Sequence, residues 1–197
     1  MPKSCSATAV FVVMWAAVVP AVAQDAPAEE TTDRPVRIVE DVPRLVLPDP
    51  VSARETPSGL PVPRFVSLKT GRANCRIGPS RAHKVDYRYE QRGLPLLVVA
   101  ETEQWRRVRD INGDECWIKA TGLSGARRAL TVDMVELLAK PRRDAKTRAQ
   151  VERGVVMELG ECRDLWCEVR ATGEAKTFKG WARRDALWGA APLMWPG

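Results

Sequence analysis

Four of the five cysteines, one histidine and a set of tryptophans set beside arginines are the residues whose chemistry reaches beyond packing; Cys5 lies at the amino terminus, before an apolar run. Cys75, Cys116, Cys162 and Cys167 have three uses open to them: structural disulfides, a zinc site completed by His83, or a redox pair. Structural zinc sites draw on two close pairs of ligands, whereas Cys75 and Cys116 each stand alone in the chain. Thioredoxin-type pairs enclose two residues, and Cys162 and Cys167 enclose four. Disulfides are therefore favoured, and a cysteine held in one has no free thiolate with which to attack a substrate. His83 is the sole histidine and falls in a predicted loop. The sequence holds no Gly-rich phosphate loop, no Gly-x-Ser-x-Gly turn and no His-Glu-x-x-His helix. The expectation is a binding protein and not an enzyme, with no catalytic residue, no metal and no cofactor.

The elements that position these residues occur twice. Trp105-Arg106-Arg107-Val108-Arg109, a turn through Asn112-Gly113, and then Cys116-Trp117-Ile118 return as Trp166-Cys167-Glu168-Val169-Arg170, a longer turn through Gly173, and then Gly180-Trp181-Ala182. Trp105 and Trp166 are 61 residues apart, and Trp117 and Trp181 are 64 apart. A period of this size is one small domain copied in tandem. Alternation puts Trp105, Arg107 and Arg109 on one side of a strand and Arg106 and Val108 on the other, with Val108 toward the core. Asn-Gly between two such runs is a strong hairpin signal. Trp117 and Trp181 are expected in the core, since aromatics supply most of the burial available to so small a unit. For Trp105 two readings stand: a cation–π face with Arg107 and Arg109, or a solvated strand.

Taken together, Asn74-Cys75-Arg76-Ile77-Gly78-Pro79, Gly93-Leu94-Pro95-Leu96, Trp105-Arg106-Arg107-Val108 and Cys116-Trp117-Ile118 resemble the bacterial SH3-like domain. The resemblance covers 64–125 closely and 126–190 more loosely, because Glu136-Leu137-Leu138-Ala139 stands where the first copy has Asn74-Cys75-Arg76-Ile77. It departs from the family at Cys116, where a Gly is usual. What it implies is an all-β chain of two five-stranded barrels that attach to cell-wall peptide or to another envelope protein. It also implies a binding groove at Trp105 and Trp166, with Tyr87 and Tyr89 flanking the long loop and Arg107 and Arg109 beside the first tryptophan. Gly122 and Ala186 replace the groove's usual aromatic, and Lys119 and Arg183 replace its proline, which disfavours Pro-rich ligands.

The amino terminus carries Lys3, an apolar run from Ala7 to Val19, then Pro20 and Ala21-Val22-Ala23. This reads as a secretory signal peptide, residues 1–23, cleaved after Ala23. The run is shorter than the roughly 20 residues that span a bilayer, so the chain is not expected to be transmembrane; an uncleaved anchor is the alternative. The expected location is periplasmic or secreted. Residues 24–63 hold eight acids against four arginines and a proline every few positions, whereas residues 64–197 hold 26 basic and 17 acidic groups. Repeated proline defeats regular structure, so 24–63 is expected to be a disordered acidic linker, followed by domains 64–125 and 126–197. A basic folded part draws anionic partners, and for an exported protein those are envelope components and not nucleic acid.

Four cysteines allow three pairings. Cys75 with Cys116 and Cys162 with Cys167 is favoured, since each bond then stays inside one repeat. Strands are expected near 71–77, 84–91, 95–101, 105–110 and 115–120, and again near 131–139, 149–152, 155–161, 166–171 and 178–183. The alternative role is a scaffold or regulatory subunit docking to envelope proteins, and a weaker third is a thiol-active protein.

Overall fold

The computed structural model describes residues 47–173 and 176–190. The expected signal peptide, residues 24–46 of the expected linker and the apolar end 191–197 lie outside the described residues. The first repeat forms strands β1 (Arg64–Leu68), β2 (Ala73–Arg76), β3 (Val85–Tyr89), β4 (Pro95–Glu101), β5 (Trp105–Arg109), β6 (Glu115–Lys119) and β7 (Leu123–Ser124). The second forms β8 (Arg128–Thr131), β9 (Val135–Leu138), β10 (Thr147–Val151), β11 (Val156–Arg163), β12 (Trp166–Thr172), β13 (Thr177–Arg183) and β14 (Leu187–Trp188). Each repeat is one seven-stranded antiparallel sheet, ordered β3-β2-β6-β5-β4-β1-β7 and β10-β9-β13-β12-β11-β8-β14. The two orders correspond strand for strand, and this is the expected pair of SH3-like units. Five strands, β6-β5-β4-β1-β7, run contiguously around the core, and the hairpin β2–β3 is added at the free edge of β6. A short 3-10 turn, Ala120–Gly122 or Arg184–Ala186, leads into the last strand.

Each sheet closes on its own core. Leu68, Cys75, Leu96, Val98, Val108 and Ile118 meet in the first, and Val135, Leu137, Met157, Leu159, Val169 and Ala182 are among those that meet in the second. Full burial of each such aliphatic side chain is worth roughly 1.5–3 kcal/mol, yet units of about 60 residues bury only about 60% of their unfolded surface. Further ties therefore matter. The repeats also share a seam: Phe65 pairs across the sheet with Leu97, and Trp188 with Leu130, and the Phe65 and Trp188 rings meet edge to face at 5.2 Å. Leu97 points away from the first core but is fully buried. The indole Nε1 of Trp188 donates to the Pro95 carbonyl at 3.0 Å. Gly189 lies at φ +97°, and a Cβ there would sit 2.5 Å from the Arg128 carbonyl oxygen of its own repeat and 3.0 Å from the Pro95 Cβ of the first, so both the local turn and the approach of the first repeat favour glycine.

Corresponding positions are tied by different chemistry. Cys75 on β2 is bonded to Cys116 on β6, with Cα atoms 5.4 Å apart. The second repeat has Leu137 and Gly180 there, and a Cβ on Gly180 would lie 2.8 Å from the Leu137 Cβ, so the leucine fills the space that glycine leaves. Conversely, Cys162 and Cys167 are cross-strand partners on β11 and β12 and bonded, with Cα atoms 4.0 Å apart. Their first-repeat counterparts are Glu101 and Arg106, an ion pair at 3.0 Å. Both favoured cysteine pairings are present, and among the described residues they leave no thiolate for a zinc set with His83.

Three expectations are corrected. The linker does not extend unordered to residue 63. Val51 bridges to Val62, Val62 enters the first core, and the Ser58 N–H and the Arg64 guanidinium bind Glu101 at 2.9 and 2.6 Å; proline blocks ladders without blocking packing. The single strand expected over 131–139 is two strands, β8 and β9, with a break between Thr131 and Val135, and β1 precedes the strand expected first in the other copy. Trp117 and Trp181 are half-buried and not core. Cys116 and Ile118, like Gly180 and Ala182, point inward, so the tryptophan between them must point outward. Arg163 stacks over the Trp181 ring at 5.7 Å, a cation–π contact at a different tryptophan from the one expected.

The ties give two predictions. Replacing Cys75 and Cys116 by alanine should lower the unfolding free energy in urea by up to about 4 kcal/mol, and replacing Cys162 and Cys167 by about 2 kcal/mol, following the sizes of the loops closed. Burial raises the pKa of Glu101, but hydrogen bonds from Ser58 and Arg64 outweigh it, and its carboxyl lies below the ordinary range. A depressed folded pKa contributes stability in full above the unfolded value, about 4.3, and loses it as pH falls through the folded value. The stability difference between the native protein and Glu101→Gln should thus be constant from pH 7 to about 5 and narrow below about pH 4.3. A difference independent of pH would contradict this.

Candidate functional site

Trp105 opens β5 and pairs with Lys119 at the end of β6. Its N–H is held by the Thr102 hydroxyl at 3.2 Å. The ring is only 7% exposed, because it forms the floor between the β4–β5 turn and the loop 77–84 of the hairpin. Two cavities meet over it, of about 480 and 220 Å³, and share Arg81, Trp105 and Lys119. Pro79, Ser80 and the turn Thr102-Glu103-Gln104 line the larger, and Arg72, Asn74, Arg76 and Gly122 are among those lining the smaller. Arg72, Asn74 and Arg76 share one face of β2 by alternation, while Cys75 between them points into the core.

The loop is held by its own contacts. Arg76 Nη1 donates to the Arg81 and His83 carbonyls at 3.2 and 2.6 Å, and the Ser80 hydroxyl lies 2.7 Å from His83 Nδ1. Among the described residues, none of Arg72, Arg76, Arg81 and Lys119 has a carboxylate partner. Four cations facing one cleft repel each other, and an anion entering it relieves that repulsion while finding guanidinium forks suited to carboxylate geometry. Glu103 is the one carboxylate on the lining, at the rim of the larger cavity.

The second repeat has the same cleft with different chemistry. A cavity of about 270 Å³ is lined by Trp166, Met134, Val135, Glu136, Leu138, Arg143, Arg183 and Ala186. By strand register these replace Trp105, Arg72, Ala73, Asn74, Arg76, Arg81, Lys119 and Gly122. Two arginines have become Met134 and Leu138, and Arg183 is taken up by Asp185, whose carboxyl its hydrogen bond holds below the ordinary range. The Trp166 cleft is thus largely apolar, with Met134 64% exposed at its edge.

The other residues proposed from sequence are not gathered here. Arg107 and Arg109 share the outward face with Trp105 but both bind Glu115, at 2.8 and 2.7 Å. Tyr87 and Tyr89 pack on the first core; their hydroxyls are 3.1 Å apart, and Tyr89 donates to the buried Asp110 at 3.1 Å. Burial raises the pKa of both phenols, so they remain protonated donors that brace the β5–β6 turn. Trp166 lies in its own cleft. The residues that sequence reasoning passed over are Arg72, Arg76 and Arg81; the spacing of Arg72 and Arg76 about an inward Cys75 was the available signal. Among the described residues no group of His, Cys, Asp and Glu is placed to hold a metal ion, and no helix is long and apolar enough to cross a membrane.

Residues 69–125 and 131–189 each match the family of the bacterial SH3 domain. No curated protein matches the chain. Among solved structures, NlpC2 from Trichomonas vaginalis is 16% identical, over 64% of this chain and 48% of that one, with a TM-score of 0.30. NlpC1 from Trichomonas vaginalis is also 16% identical, over 64% of this chain and 45% of that one, with a TM-score of 0.29. This chain thus matches just under half the length of each.

Proposed function

Because the chain belongs to the bacterial SH3 domain family, we propose that it is an exported, non-enzymatic binding protein. In this reading it holds anionic cell-wall peptide in the Trp105 cleft of its first repeat. The observation that carries the reading is the convergence of Arg72, Arg76, Arg81 and Lys119 on one indole, none of them ion-paired among the described residues and Glu103 the one carboxylate on the lining. Hydrogen bonds between charged groups contribute about 1.5–3 kcal/mol each, so two or three such contacts account for useful affinity. Export is supported by the two disulfides, which persist in oxidising compartments. The exposed apolar Trp166 cleft favours a second reading, a scaffold that docks to envelope proteins.

The full exported protein should be retained by purified peptidoglycan sacculi at low salt and released near 1 M salt, where the screening length is about 3 Å. The double variant Arg76→Gln/Arg81→Gln should weaken retention by about tenfold or more, the equivalent of one lost charged hydrogen bond. Arg107→Gln, already engaged by Glu115, should bind within about twofold of the native protein, as exposed ion pairs are worth little. Absence of retention at low salt would leave the scaffold reading.

A further inference from the structure

A fourth cavity, of about 380 Å³, opens between the repeats, lined by Ser67, Lys69, Arg92, Ser124, Arg128 and Val156 among others. It takes residues from both sheets and from the short connection between them. No carboxylate lines it. Lys69 and Arg92 have no carboxylate partner among the described residues. Arg128 reaches Glu158 at 3.2 Å, and both of those side chains are partly exposed, so this pair offsets only part of the local positive charge.

Comparison with the second repeat shows that this is not a generic basic surface. The backbone bonds Lys69 N to Gly122 O and Val132 N to Ala186 O align the two copies here. Ser67, Lys69 and Ser124 then stand where the second repeat has Leu130, Val132 and Trp188. Three apolar positions in one copy are two hydroxyls and an ammonium in the other. Ser67 is buried, at 2% exposure, and its hydroxyl has a single contact, 3.5 Å to the Ser124 carbonyl. That distance is at the limit of a hydrogen bond, and a buried hydroxyl left so weakly satisfied is destabilising. An oxyanion in the cavity would accept from it.

We propose that this cavity binds a phosphate dianion, free or as the terminal group of a small ester. Two guanidinium groups, one ammonium and a buried hydroxyl match the acceptors of a tetrahedral oxyanion, and they exceed what a monoanion needs. Because Ser67, Lys69 and Arg92 come from the first repeat and Arg128 from the second, the bound anion also ties the two repeats together.

Thermal unfolding and isothermal titration of the full oxidised protein, with inorganic phosphate and with glycerol 3-phosphate at constant ionic strength, test the proposal. Saturable binding with a rise in midpoint is expected from both, and none from nitrate. Lys69→Gln and Arg92→Gln should weaken phosphate binding by about tenfold or more, while their unfolding midpoints without phosphate stay near the native value. Arg76→Gln, in the Trp105 cleft, should leave it unchanged, so failure here is distinct from failure of cell-wall binding. Stabilisation that tracks ionic strength alone, or that survives unchanged in Lys69→Gln and Arg92→Gln, would overturn it.

Discussion

The hairpin β2–β3 joins the rest of its sheet along one edge, and that edge decides whether there is a cleft. In the first repeat the ladder between β2 and β6 has Arg76 opposite Trp117, and the Cys75–Cys116 bond lies directly beside it. Everything on the far side of that seam depends on it: the loop 77–84 that walls the cleft, the arginines of β2 that face it, and the tyrosines of β3 that brace Asp110. A covalent tie fixes the spacing between Arg76 on one wall and Lys119 on the other without asking the ladder to do so. It also lets Arg72, just before β2, and Arg76 within it face the cleft, since the strand's attachment no longer depends on what its outward side chains pack against.

The second repeat solves the same problem with packing, and its cleft chemistry follows. Leu137 over Gly180 closes β9 onto β13, and the outward positions are then Met134, Glu136 and Leu138. The covalent tie has moved to the β11–β12 hairpin, where the first repeat uses the buried Glu101 between Arg64 and Arg106. One fold thus carries two sets of ties, and the two sets respond differently to pH and to reduction. The tryptophan floor is common to both repeats, while the residues around it make one cleft basic and the other largely apolar.

Much of this was legible in the chain. The repeat, the strand alternation around Val108 and the Asn112-Gly113 hairpin follow from spacing, because period-2 patterning and turn chemistry act locally; of three possible cysteine pairings, the one that keeps each bond inside one repeat is the one present. What was not legible has both local and long-range causes. Arg107 and Arg109 have the spacing of ligands in the sequence, yet Glu115 on the facing strand takes up both. Trp117 and Trp181 read as core because aromatic bulk was weighed above alternation, although their inward neighbours Cys116, Ile118, Gly180 and Ala182 already determined which way they point. The ordering of residues 47–63 could not be read from proline content, since it rests on Glu101, 43 residues beyond Ser58.

The central claim is that the first repeat's cleft, and not the second's, recognises anions. Indole N–H resonances report on each tryptophan separately, so the most direct measurement is a titration of the isotopically labelled, oxidised protein with a soluble muropeptide bearing free carboxylates. The account predicts a saturable, salt-sensitive shift of the Trp105 indole with Trp166 unmoved. A shift confined to Trp166, or equal shifts at both, would contradict it.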